Sequence, residues 1–178
     1  MASSQVTQGD IPEFYRQTGR VVRMWANIEN QLWMFAGLIL GVDQFRARIV
    51  LASITGARAR REFILRLGET YLDPEVLPEF RRLMDRVKSL GASRNTLAHS
   101  TMHINVDGKQ NQVFADTFSK RMDGGLDFDF RAFPLNDVAV LADALEKLHG
   151  ELIALLFRCD GKVLRDARIH RVPPTDDS

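Results

Sequence analysis

The chain has 178 residues, 45% hydrophobic and 26% charged, the balance of one soluble globular domain and not of a disordered or fibrous chain. Its 24 Lys+Arg against 23 Asp+Glu leave a net charge of +1, so no molecule-wide field draws it to nucleic acid or an anionic membrane, and any polyanion must meet a local patch. One cysteine, Cys159, excludes an internal disulfide and a multi-cysteine zinc site, and a cytoplasmic location is the expectation.

Among the cations 19 are Arg and 5 are Lys, a skew that suits bidentate phosphate or carboxylate contacts. The start Met1-Ala2-Ser3-Ser4-Gln5 lacks the basic and apolar regions of a signal peptide. The longest apolar candidate, Leu32 to Val42, is shorter than the roughly 18 residues a membrane span needs, so no membrane partner is expected. Residues 1–10 and 161–178 are polar ends expected to be flexible, which leaves a single domain over 11–160.

From Ile11 to Leu40, Phe14, Val21, Val22, Trp25, Ile28, Leu32, Phe35 and Ile39 recur at three- and four-residue steps and predict a first helix that Gly41 ends. A second helix is expected from Asp43, with Phe45, Ile49, Val50, Ile54, Phe63, Ile64 and Leu67 facing inward and Arg58, Arg60 and Arg61 on its polar side. Asp73 is the expected cap of a third helix with Pro74 at its first position and Phe80, Leu83, Val87, Leu90 and Leu97 buried, running to about His99. There the period becomes two: Met102, Ile104 and Val106 alternate with polar residues up to an Asp107-Gly108 turn. Strands near Gln112 to Phe118 and Leu126 to Phe130 follow, the second after the turn Asp123-Gly124-Gly125. Asn136 is expected to cap a fourth helix with Val138, Leu141, Leu145, Leu148, Leu152 and Leu155 as its stripe, stopped by Asp160-Gly161. The expected fold class is therefore all-α with a small β insertion: an up-and-down bundle of about four helices with a hairpin or three-stranded flap between helices three and four.

No Gly-rich phosphate loop, Gly-x-Ser-x-Gly elbow or His-Glu-x-x-His pair occurs, which removes support for P-loop, hydrolase and common metalloprotease chemistry and points to no cofactor. Functional groups crowd instead into Ser93-Arg94-Asn95-Thr96-Leu97-Ala98-His99-Ser100 at the end of the third helix. Arg94 falls where that helix had presented Leu83, Val87 and Leu90, and a buried guanidinium needs a partner. Glu29, on the stripe of Val22, Trp25 and Leu32, is the expected structural or orienting partner. At about 100° per residue Asn95 and His99 project some 40° apart, and the long arm of Arg94 must bridge about 100° to join them. Arg supplies a fixed charge to phosphate oxygens, His a proton carrier near neutral pH, and Asn a group to hold an imidazole or a sugar hydroxyl. Together they are the groups that a metal-free phosphodiester site calls for.

Arg94, the polar Asn95 after it and His99 at the end of a bundle helix resemble the Arg-x(4–6)-His signature of HEPN domains. That resemblance implies a compact helical homodimer whose two motifs line a common cleft, and a metal-independent ribonuclease of the toxin or phage-defence kind. It further implies attack of a ribose 2′-hydroxyl on the neighbouring phosphate, with Arg94, Asn95 and His99 as the catalytic set and RNA and a cognate antitoxin as partners. Ser100, His103, Arg58 and Arg61 are the candidate substrate-binding residues, with Arg60 and Arg66 alongside the last two as a phosphate-guiding or merely solvated face. The alternative within the same resemblance is a catalytically inactive dimeric scaffold or a partner- or nucleotide-binding module.

Arg165 to His170 repeats the pattern in the tail, but the flanks Leu97-Ala98 and Ser100-Thr101 favour the first occurrence. His99 has a plainer reading as a cap of the last helical turn. His99 and His103 have metal-ligand spacing only if one helix carried both, which the alternation from Met102 opposes, so no metal is expected. Trp25 and Trp33 read as core and interface packing. A homodimer through helices one and three would bury Trp33, Met34 and Phe35.

Overall fold

The computed structural model describes residues 10–99, 101–104, 113–120, 126–132 and 135–159. Among these the framework is helical: α1 (Asp10–Leu40), α2 (Gln44–Ser53), α3 (Ala57–Tyr71), α4 (Leu77–His99) and α5 (Leu135–Cys159). The expected second helix is thus two. Gly56 takes φ +90, a left-handed value that a helix cannot pass through, and Ile54 is already extended at ψ 115. The stripe of the expected second helix also changes. Phe45, Ile49 and Val50 on α2 face solvent, and only Ala47 and Leu51 of that helix are buried.

The start of α4 is later than expected. Asp73 Oδ1 accepts from Glu75 N at 2.7 Å, and its carbonyl accepts from Val76 N and Leu77 N, so Asp73 and Pro74 build a turn ahead of the helix. Likewise Asn136 lies inside the first turn of α5 and does not precede it. The stop at Asp160-Gly161 and the tail motif Arg165 to His170 lie outside the described residues, as do residues 1–9.

Between α4 and α5 the backbones of β1 (Thr101–Ile104), β2 (Val113–Lys120) and β3 (Leu126–Ala132) pair antiparallel in the order β1-β2-β3. Met102 lies opposite Ala115 and Phe118 opposite Phe128. The turns expected at Asp107-Gly108 and Asp123-Gly124-Gly125 fall outside the described residues.

The chain divides into two compact units, Met1–Ile28 with Arg86–Gly150 and Glu29–Asp85 with Glu151–Ser178, so α1, α4 and α5 each contribute a stretch to both. In the first, Phe14, Val21, Trp25, Val87, Leu97, Leu141, Leu145 and Leu148 are buried. Val22, placed on the same stripe by its spacing, is 46% exposed. A polar network closes the edge of this core: buried Gln17 donates to Glu13 at 2.7 Å and accepts from Arg20 at 2.8 Å, and Arg20 reaches Asp143 and Glu146. Hydrogen bonds from Arg16 and then Gln17 hold the Glu13 carboxyl down at about 2. Its ion pair therefore persists as pH falls through the ordinary carboxylate range and is lost only near the lowered value.

In the second unit the end of α1 forms a Schellman turn: Gly41, at φ +65, donates to Leu38 O, and Val42 N donates to Gly37 O at 3.0 Å. Asp43 then caps α2 by accepting from Arg46 N at 2.9 Å. The core joins Phe35, Ile39, Leu51, Ile64, Phe80, Leu83 and Leu152. Phe35 and Phe80 rings lie 5.6 Å apart. Gly68 is required by this packing, because a β-carbon there would fall within 3.0 Å of three Phe80 ring atoms. Arg82 pairs with Glu151, Arg81 with Glu69 and Arg158 with Glu79 on the surface. Among the described residues no helix is long and apolar enough to cross a membrane. Gly68→Ala should cost about 1–3 kcal/mol through overpacking against Phe80, read as a lower urea midpoint; an unchanged midpoint would mean that the ring has room to move.

Candidate phosphate-binding site

The end of α4 is positioned by a residue with no side chain. A β-carbon on Gly91 would lie 2.6 Å from Trp25 Cη2, so the α4 backbone rests directly on the indole. Three residues on, Arg94 comes off the same side of the helix. Its Cζ lies 5.8 Å from the centre of the Trp25 ring, within cation–π range. Trp25 is buried, 8% exposed, and gives the guanidinium a rigid floor.

Arg94 Nη1 donates to Asn95 Oδ1 at 3.0 Å, so the long arm does bend across to the neighbouring position as the helical angles demand. Arg94 is half-buried and not fully buried, because α4 turns Leu83, Val87, Gly91 and Leu97 inward and leaves Leu90 and Arg94 at the edge of that stripe. The Nε is nonetheless enclosed and meets no acceptor among the described residues. No carboxylate of this unit pairs with Arg94 among the described residues. The guanidinium is thus held by a ring and a neutral amide, and among the described residues of its unit no carboxylate cancels its charge. Asn95 is exposed beside it.

His99 is the last residue of α4, and Ser100 lies outside the described residues, as does the side chain of His99. His103 is on β1, opposite Phe114. The two histidines therefore lie on different elements, and the single helix that their metal-ligand spacing presupposes is not formed.

The other candidates belong to the second unit. Glu29 is half-buried on α1, one turn beyond Trp25. Arg58 is spoken for locally, with Nε 2.8 Å from Glu62 Oε1, while Arg61 is half-buried on α3. In the same unit Phe35 is fully buried and Arg48 covers Trp33 at 4.4 Å, so that turn of α1 does not need a partner chain to shield Phe35. Cys159 is buried in the core, and burial pushes its thiol up.

Two residues of the site escape the sequence pattern. Trp25 reads as plain core packing, and Gly91 as a helix residue of low propensity; only their contact across two helices gives Arg94 its floor. The one local signal is a glycine three residues before an arginine on an otherwise apolar stripe.

The chain matches no known protein family, no curated protein and no solved structure.

If Arg94 serves an anion and not the fold, its removal should be cheap. Arg94→Met keeps the stem over Trp25 and removes an enclosed Nε that lacks an acceptor. Stability in urea should change by less than about 1 kcal/mol. A loss of about 3 kcal/mol or more would make Arg94 a structural member of the core.

Proposed function

We propose that this chain is a metal-independent endoribonuclease of the HEPN kind, acting in the cytoplasm on single-stranded or looped RNA, whose splayed bases and 2′-hydroxyls such a site can reach. The observation that supports it is the Arg94 guanidinium, half-buried over Trp25, bonded to neutral Asn95 and not neutralised within its unit among the described residues. A fixed, uncancelled charge beside an exposed amide and one turn from a histidine suits a phosphodiester in its transition state.

In this reading His99 accepts the proton of a ribose 2′-hydroxyl, and the oxygen attacks the adjacent phosphorus. Arg94 stabilises the charge that gathers on the non-bridging oxygens, and Asn95 orients the hydroxyl or the imidazole. The bond from phosphorus to the 5′-oxygen breaks, that oxygen takes up a proton, and a 2′,3′-cyclic phosphate remains. Ser100 and His103 hold the flanking phosphates. Two copies bring their motifs to one cleft, the strand segment between α4 and α5 acts as a flap over it, and a cognate antitoxin blocks it.

The second reading, an inactive dimeric scaffold or a partner- or nucleotide-binding module, is favoured by one observation. Phe45, Ile49 and Val50 expose 73%, 58% and 41% of their surfaces on α2, an apolar face of the kind that protein partners cover.

Purified protein incubated with total RNA in excess chelator should cleave it and leave 2′,3′-cyclic ends. Arg94→Ala and His99→Ala should each lower the rate by about 10²–10⁴-fold with helical content retained. Absence of cleavage, together with a dimer that Ile49→Glu dissociates, selects the scaffold.

A further inference from the structure

α2 is a helix of which the core takes little. Ala47 and Leu51 are its buried residues. Phe45 and Ile49 stand on the opposite side, one turn apart and each more than half exposed, and Val50 is exposed beside them. Apolar side chains scattered singly over a surface are ordinary, but three on one short helix make a patch.

Cations frame that ridge. At about 100° per residue, Arg46 and Arg48 project about 80° to either side of the line through Phe45 and Ile49. Three residues separate α2 from α3, whose first turns carry Arg58, Arg60 and Arg61. The first turn of α3 has no acid to offset its own positive helix end. From Gln44 to Arg61 the chain holds five Arg, no Lys and no acid. That stretch is +5 against +1 for the whole chain, which leaves −4 elsewhere. The bordering acids Asp43 and Glu62 pair with Arg46 and Arg58. Arg48 lies over Trp33, and Arg48, Arg60 and Arg61 form no ion pair among the described residues.

A partner for this face must be anionic and must also accept protruding apolar side chains. RNA meets the first need only, because Ile49 and Val50 offer a base neither a stacking face nor a hydrogen bond. A second copy fails on charge, since a two-fold interface would lay +5 against +5. A bilayer containing anionic lipids meets both needs: its headgroups attract Arg, and its interfacial layer takes up an apolar ridge without a matching pocket. No described helix is long and apolar enough to cross a membrane, and none is needed, because a ridge of this kind lies in the headgroup layer while its Arg side chains reach back to the phosphates.

We propose that α2 and the start of α3 form a docking face for an anionic membrane surface, with Phe45 and Ile49 entering the interfacial layer and Arg48, Arg60 and Arg61 meeting lipid phosphates. The face lies in the second unit, apart from the Arg94 motif, and does not depend on the nuclease reading.

The test is flotation of the full chain at low salt with vesicles of equal parts phosphatidylglycerol and phosphatidylcholine, and with vesicles of phosphatidylcholine alone. The chain should float with the first and not with the second, and added salt should release it. Phe45→Trp should show a blue shift of emission on the anionic vesicles beyond that of the wild type. Phe45→Ser with Ile49→Ser should weaken binding at least tenfold and leave the unfolding midpoint unchanged, because both side chains face solvent. Arg48→Gln, Arg60→Gln and Arg61→Gln should each weaken it about fivefold with helical content retained. The proposal falls if the chain ignores anionic vesicles, if it floats equally with both kinds, or if the double serine variant binds as well as the wild type. It also falls if the chain is a dimer that Ile49→Glu dissociates, or if a 2′-O-methyl oligoribonucleotide needs Phe45 and Ile49 for binding, since a second copy or RNA would then hold the face.

Discussion

The contact between Gly91 and the Trp25 indole decides where the last two turns of α4 can lie. With a β-carbon at that position the helix would have to lift off the ring, and the guanidinium of Arg94 would lose its floor. The same device holds the second unit, where Gly68 admits the Phe80 ring and Phe80 in turn meets Phe35. In both places a large aromatic fills the space that a missing side chain leaves, which is how a helical core reaches native density. Stability is carried by that packing, because the surface ion pairs around it are worth about 0–1 kcal/mol each.

Those ion pairs matter here as a contrast. Arg16, Arg20, Arg46, Arg58, Arg81, Arg82 and Arg158 all meet carboxylates on largely exposed surfaces. Arg94 meets an indole face and a neutral amide, with its Nε enclosed and unpaired among the described residues. Enclosing part of a cation without cancelling it costs free energy that the fold does not recover, and such expenditure is commonest where a ligand supplies the missing charge. The proposed phosphate role rests on this asymmetry. It rests on the motif Arg94, Asn95 and His99 as well, but that pattern is short and recurs once in the tail.

Long, strongly periodic elements were the legible part of the chain. The first helix was bounded to within one residue, and the stripes of α4 and α5 are buried at Leu83, Val87, Leu97, Leu145, Leu148 and Leu152. Shorter elements were not legible in the same way. Phe45, Ile49 and Val50 have the spacing of a buried face, yet they point outward, because α2 is ten residues long and only Ala47 and Leu51 reach the core. Gly56 falls inside the span of the expected second helix, and its positive φ makes it a break. Asp73 and Pro74 have the composition of a helix start but serve a turn, since the Asp73 side chain bonds two residues on and not three. At the site, the types and angular offsets of Arg94 and Asn95 could be read from the helix alone. The floor under Arg94 could not, because a Trp and a Gly 66 positions apart reveal their contact only in three dimensions.

The account stands on Arg94 being held for a phosphate of RNA, and binding under varied salt tests this most directly. A 2′-O-methyl oligoribonucleotide, whose blocked nucleophile prevents cleavage, should bind the wild-type chain more tightly than Arg94→Met. The slope of log affinity against log salt should fall by about 0.7 in the variant, the share of one single-strand phosphate contact. Equal affinity and an unchanged slope, in a variant that remains folded, would contradict the account.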